Sequence, residues 1–382
     1  TRWLIQMLHA FKYLTATNQT VLLRKNILNS ISKLTATQVK AGVAAAFTQS
    51  VREPIAIVFI MIIVFIQILI MQEKIEPILV SIVLFYRALN ATLAVQSGFQ
   101  GTFQHIGSME IVDNEFRDQD KNQSPDGDIS IEDFSYSIEF NDVSFKYGGS
   151  KSKVISGLTM NFPVKKSIAI VGESGAGKST LADLVTLMHM PTSGEITIDG
   201  IPSNQIKKST WRDQIGYVSQ ETVIFDDTIA NNICMWKESS EKDNDLREEI
   251  KLAAKKANIL DFIESLPDGF QSLVGDRGVL LSGGQKQRLF IARELFRKPS
   301  LLIMDEATSA LDSASEQEIQ KSIESLKGQI TLILIAHRLS TIKNVDLIHV
   351  LDEGRILESG TYKELMEQKD SRFRKLAVLQ TL

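Results

Sequence analysis

Residues 172 to 180 read Gly172-Glu173-Ser174-Gly175-Ala176-Gly177-Lys178-Ser179-Thr180 and match the pattern G-x-x-x-x-G-K-S. An apolar strand-like run, Ser167 to Val171, precedes them, and Thr180 to Val185 opens a helical run. That strand-loop-helix context is what the motif needs to hold a polyphosphate. Glycines 172, 175 and 177 let backbone N–H groups turn inward on a β-phosphate, and the helix start adds its partial positive charge. Lys178 suits the β- and γ-phosphates, and the Ser179 hydroxyl suits Mg²⁺. The chemistry is binding of a nucleoside triphosphate with its metal.

A second set of residues could cleave what the first set binds. Leu301 to Met304 is an apolar strand ending in Asp305 and Glu306, at the C-terminal edge where parallel sheets bind ligands. Asp305 suits Mg²⁺. Glu306, one residue on and facing the other way, can polarise a water for in-line attack on the γ-phosphate. Thr331 to Ala336 is another apolar strand, and His337 follows it directly, so its imidazole is expected to bond the γ-phosphate or the attacking water. Its weight comes from the match to Glu306 on a neighbouring strand. A second phosphate-reading element, Ser282-Gly283-Gly284-Gln285, follows Leu281 and precedes the helical run Lys286 to Phe296, making another anion site at a helix start.

The elements that must position these residues alternate. Strand-like runs at Ser137 to Tyr147, Ser167 to Val171, Ile196 to Ile198, Ile215 to Val218, Leu301 to Met304, Thr331 to Ala336 and Leu347 to Leu351 are interleaved with helical ones. This alternation predicts an α/β domain over residues 137–382 with a mainly parallel core sheet. Ahead of it, residues 113–136 are predominantly acidic, carry the turn cluster Ser124-Pro125-Asp126-Gly127, and read as a solvated linker.

Residues 1–112 are of another kind. Ile55 to Met71 holds no charge and one polar group, Gln67, close to the roughly 20 apolar residues a spanning helix needs. A span over about 54–72 is expected, with Pro54 as a kink or the start of a new helical segment. A second span over about 77–103 carries Arg87, Asn90, Thr92 and Gln96, so it should line a protein interior or polar cavity, with Arg87 alternatively snorkelling to the interface. Residues 1–52 look helical and contain Arg2, Lys12, Arg24, Lys25, Lys33, Lys40 and Arg52 but no acidic side chain, which places that flank in the cytoplasm. Two crossings then return the chain to the compartment that supplies ATP.

The averages of the whole chain, 382 residues with a net charge of -4, hide these two halves. The lone cysteine, Cys234, cannot form an internal disulfide and lacks paired metal-ligand spacing around it. It reads as a packed thiol.

Together the motifs resemble the ATP-binding cassette (ABC) transporters, specifically exporter half-transporters whose membrane domain is fused ahead of the ATPase. The resemblance implies that Tyr147 stacks on adenine, that Gln220 is the Q-loop residue linking Mg²⁺ to the membrane domain, and that Gly275-Asp276-Arg277-Gly278 is the exporter-type X-loop. It implies that Ser309-Ala310-Leu311-Asp312 is the D-loop and that His337 is the switch histidine. It also implies that Ser282 to Gln285 meet the γ-phosphate bound by an opposite subunit, so two copies form two composite sites in a homodimer.

On this resemblance the fold is a partial type 1 exporter transmembrane segment followed by an α/β P-loop NTPase domain with an ABC α-helical subdomain. A coupling helix is expected around Gln6 to Leu14, and the first four spans are expected to precede Thr1. The implied activity is ATP-driven export or flipping of a lipid or lipid-linked oligosaccharide across a bacterial inner membrane, with Arg87 as a phosphate partner. Peptide or drug export is the alternative within the family. A soluble ATPase acting on DNA or ribosomes is disfavoured by the run 55–71, and no nucleic-acid partner is expected.

Overall fold

The computed structural model describes residues 5–6, 10–70, 75–122, 126–150, 152–237, 244–305, 313–336, 339–368 and 370–381. The chain divides into two compact units, Thr1–Lys121 and Asn122–Leu382.

The first unit is helical: α1 (Phe11–Ala16), α2 (Thr20–Leu69) and α3 (Ile75–Asn122). α1 stops where Asn18 adopts a left-handed φ of 55°, a conformation asparagine tolerates better than most residues. Of the helix expected around Gln6 to Leu14, residues 5–6 and Phe11–Ala16 are helical, and residues 7–9 lie outside the described part. Pro54 neither starts nor ends a helix; α2 runs through it. A proline ring costs a helix interior about 3 kcal/mol, yet breaking the helix beside an apolar run would leave further backbone groups without partners in lipid.

Two stretches, Arg24–Leu69 and Ile78–Arg117, are long and apolar enough to cross a membrane. Ile55, Ile57, Phe59, Met61 and Phe65 are exposed on α2, as expected of side chains that face lipid or another helix rather than this chain's own core. Phe59 stacks on Phe85 of α3 with ring centroids 5.7 Å apart. The acidic tract begins as helix: α3 continues to Asn122, with Arg117 paired to Asp113 at 2.9 Å one turn back.

The second unit has two sheets. β1 (Ser137–Phe145), β2 (Ile155–Pro163), β4 (Ser193–Ile198) and β5 (Ile201–Pro202) form an antiparallel sheet of order β2-β1-β4-β5. A six-stranded sheet runs β10-β9-β3-β8-β7-β6, from β3 (Ser167–Val171), β6 (Ile215–Val218), β7 (Leu301–Asp305), β8 (Thr331–Ile335), β9 (Leu347–Asp352) and β10 (Arg355–Gly360). Its pairs are parallel except for the antiparallel edge strand β10.

Side chains alternate across β3, β7 and β8, and both faces are covered. Ile168, Ile170, Leu301, Ile303, Ile333 and Ile335 pack with the antiparallel sheet and the helix after the phosphate loop, α4 (Lys178–Val185). Ala169, Val171, Leu302, Met304, Leu332 and Leu334 pack towards the helical layer. Burial on both sides explains why these strands read as unbroken apolar runs. The helical layer contains α6 (Ile229–Cys234), α7 (Asn244–Lys256), α8 (Leu260–Ser265) and α9 (Gly283–Phe296), while α5 (Lys208–Asp213) precedes β6 and α10 (Ser313–Leu326) precedes β8. α11 (Tyr362–Glu367) and α12 (Arg372–Thr381) end the chain.

Candidate functional site

The phosphate loop joins β3 to α4. Its last residue, Gly177, caps the helix at φ 101°, and a Cβ there would stand 2.8 Å from Ile155 Cδ1 and 3.1 Å from the Val154 carbonyl oxygen. Conformation and space both select glycine. Lys178 is buried, and its ammonium donates to the carbonyl oxygens of Gly172 at 3.0 Å and Glu173 at 2.9 Å, which holds its charge over the loop's opening turn. Ser174, Gly175 and Ser179 are exposed, whereas Ala176 packs inward and its carbonyl accepts the Gly354 N–H at 3.1 Å. The Glu173 carboxylate accepts from Arg372 at 2.6 Å.

Tyr147 lies beside this loop. Its hydroxyl is 3.0 Å from the Thr180 hydroxyl, and its ring meets Phe145 and His189 edge-on, at 5.0 and 5.4 Å between centroids. The ring is thus held in place while remaining accessible from solvent.

The sheet register brings the loop and Asp305 to one edge. Ile170 pairs with Ile335, and Ile335 pairs with Asp305, so the carboxylate ends a strand two positions from β3, at about 10 Å by the usual strand spacing. Asp305 is buried and accepts a hydrogen bond from the Tyr217 hydroxyl on β6. Burial, reinforced by the Asp305 charge, pushes the Tyr217 hydroxyl pKa up, so it stays a donor. Asp183 on α4 is also pushed up, by burial against the smaller opposing effect of His189. Gln220, two residues beyond β6, is exposed. Glu306 and His337, directly after β7 and close after β8 in the sequence, lie outside the described residues, as does the tract 309–312.

The element Ser282 to Gln285 is carried separately, at the start of α9. Ser282 is the N-cap: its hydroxyl accepts the Gln285 N–H at 3.3 Å, and the Gln285 side chain accepts the Ser282 N–H at 2.8 Å. This reciprocal cap fixes the first turn. Gly283 faces solvent, while a Cβ on Gly284 would stand 2.2 Å from Ser315 Oγ, so α9 and α10 approach closely only because this residue is glycine. Ahead of the cap, Gly275 to Gly278 forms a tight turn in which Arg277 takes a φ of 51°.

A strand-loop-helix cradle, a buried carboxylate on the same sheet edge, and a capped glycine pair on a second helix define a nucleotide-binding ATPase architecture. The family model described as ABC transporter matches residues 155–309. The whole chain superposes on a solved bacterial Atm1-family ABC exporter with ATP bound, at a TM-score of 0.82 and 29% identity, covering 100% of this chain and 66% of the other. The chain carries an ABC transporter domain.

Its fold is that of an ABC exporter: apolar helices of an integral membrane protein, then an ABC ATPase domain that binds ATP. Among similar proteins are an ATP-dependent lipid A-core flippase of Haemophilus influenzae, 46% identical over 246 residues, covering 64% of this chain and 41% of the flippase. Another is the heterocyst differentiation ATP-binding protein HepA of a Nostoc species, 41% identical over 292 residues, covering 76% of this chain and 46% of HepA. The chain spans about half the length of these relatives.

Sequence reasoning missed Tyr217 and Arg372. The signal for Tyr217 was present, since it lies on an apolar strand beside the one that ends in Asp305. Nothing in the sequence pairs Arg372 with Glu173, which are 199 positions apart.

Proposed function

We propose that this ABC protein is a half-transporter, one of two copies in a homodimer, that couples ATP hydrolysis to export or flipping of a lipid or lipid-linked oligosaccharide. The observation that carries the reading is the presence, on one exporter-fold chain, of both a complete phosphate loop and a capped, solvent-facing signature tract. Each could serve a nucleotide from a different copy.

In this reading Tyr147 carries the adenine ring, and the loop from Gly172 to Thr180 wraps the phosphates. Lys178 exchanges its loop carbonyls for phosphate oxygens. Ser179, Asp305 and Gln220 form the metal-binding set: an exposed hydroxyl, a buried carboxylate and an exposed amide, all oxygen donors that suit a hard divalent ion. Mg²⁺, when bound, would neutralise charge on the β- and γ-phosphates. Glu306 orients and deprotonates the attacking water, His337 bonds the γ-phosphate, and Ser282 with the amides of Gly283 and Gly284 completes the site of the opposite copy.

The similarity to a lipid A-core flippase supports a lipid with a polar headgroup, and Arg87 on the second span is the residue assigned to its phosphate. The residue 1–52 flank is basic and free of acidic side chains, which supports a cytoplasmic ATPase unit, and the likeness to bacterial proteins supports a bacterial inner membrane. Peptide or drug export is the competing reading.

Reconstitution of the full-length protein in liposomes with labelled lipid-linked sugar, phospholipid or peptide separates these readings. We expect ATPase stimulation that depends on the lipid headgroup and falls in Arg87→Ala. Stimulation by peptide alone would favour the competing reading, and recovery of the protein in the soluble fraction would sink both.

A further inference from the structure

Two consecutive residues of α9 grip the backbone on either side of Gln220. Upstream, the Glu294 carboxylate accepts the N–H of Tyr217 at 3.2 Å. Downstream, Arg293 Nη1 donates to the Val223 carbonyl oxygen at 2.6 Å.

The downstream grip is a network. Arg293 Nε and Nη2 donate to Asn232 O at 2.7 Å and Oδ1 at 2.8 Å. The Asn232 amide in turn accepts the Phe225 N–H at 2.9 Å and donates to the carbonyl oxygens of Phe225 at 2.9 Å and Thr228 at 3.0 Å. The guanidinium also lies near the rings of Phe225 and Phe290, 5.1 and 5.2 Å from their centroids. Asn232 has no exposed surface, and Arg293 and Glu294 are both buried. A planar fork with several donors meets these demands where a lysine could not. Removing it would leave buried acceptors without partners.

We propose that Arg293 and Glu294 are positioning residues that fasten the Gln220 loop to the signature helix, so that a shift at Gln220 reaches Ser282 about 16 Å away along α9. The inference rests on the two-copy reading above. There Gln220 attends the chain's own nucleotide and Ser282 the opposite one, so the bracket couples the two sites.

The test is the ATP dependence of hydrolysis by the full-length protein in nanodiscs, with nucleotide affinity measured separately without turnover. Wild type should show a Hill coefficient above one, up to about two for two sites. Arg293→Met and Glu294→Met should bring it to about one while leaving nucleotide affinity within about twofold, and Glu294→Gln, which keeps the acceptor, should restore it. If Arg293→Met fails to fold, the Glu294 pair decides, together with Phe225→Leu, which loses the ring and should lower cooperativity in part. Unchanged cooperativity in folded Glu294→Met, or a non-cooperative wild type, overturns the proposal. A wild type without ATPase activity refutes the functional reading instead.

Discussion

Tyr147 Oη and Thr180 Oγ1 lie 3.0 Å apart, tying the aromatic ring after β1 to the first turn of the helix after the phosphate loop. A nucleotide that stacks on this ring and seats its phosphates in the loop would meet two parts already in register. Tyr147→Phe keeps the ring and loses the tie, which should weaken binding of a fluorescent ATP analogue about two- to tenfold. Tyr147→Ala also loses the stacking surface, about 1–3 kcal/mol more. Equal affinities in all three proteins would remove Tyr147 from the site.

The contact between α9 and α10 gives a prediction with a built-in rescue. Gly284→Ala would set a methyl 2.2 Å from Ser315 Oγ and 2.5 Å from its Cβ, so the helices must separate. Overpacking of this kind costs about 1–3 kcal/mol, against up to about 1 kcal/mol gained from alanine's helix propensity. Thermal unfolding should therefore occur at lower temperature in Gly284→Ala, and Ser315→Gly added to it should restore the midpoint, because the next atom, Ser315 Cα, is 3.6 Å away. A double variant no better than the single one would show that the clash lies elsewhere.

His349 supplies a pH dependence. It is buried on β9, its Nδ1 is 2.7 Å from Ser359 Oγ, and burial lowers its pKa from 6.5 to about 4. Between those values the unfolded chain takes up a proton that the folded one refuses. Stability should therefore fall as the pH drops from 6.5 towards 4, by at most about 3 kcal/mol. His349→Gln should show a shallower loss of melting temperature between about pH 7 and 5. A variant as acid-sensitive as wild type would place the dependence on other groups.

The strands that carry chemistry were legible because both of their faces are buried: Ile168 to Val171, Leu301 to Met304 and Leu332 to Ile335 are apolar at every position. β2 and β10 escaped notice for the converse reason. β2 alternates buried and exposed residues around Gly157, and β10, an edge strand, has only Gly360 buried. The antiparallel sheet was invisible as a unit, since its register depends on pairings between Ser137–Phe145, Ile155–Pro163 and Ser193–Ile198 that no local pattern specifies. Within the site, motif residues could be read from type and spacing. Their supports, Tyr217 on Asp305 and Arg293 on Val223, are long-range contacts that only the fold reveals.

The central claim is that Lys178 of one copy and Ser282 of another act on the same ATP. It is tested by purifying mixed dimers of two inactive, differently tagged full-length chains, Lys178→Ala and Ser282→Arg, and measuring ATP hydrolysis. The mixed dimer contains one site with both motifs intact only if they come from different copies, so its activity should rise well above that of either parent, towards about half of wild type for one of two sites. Activity no higher than the parents, in mixed dimers that still bind ATP, would contradict the claim.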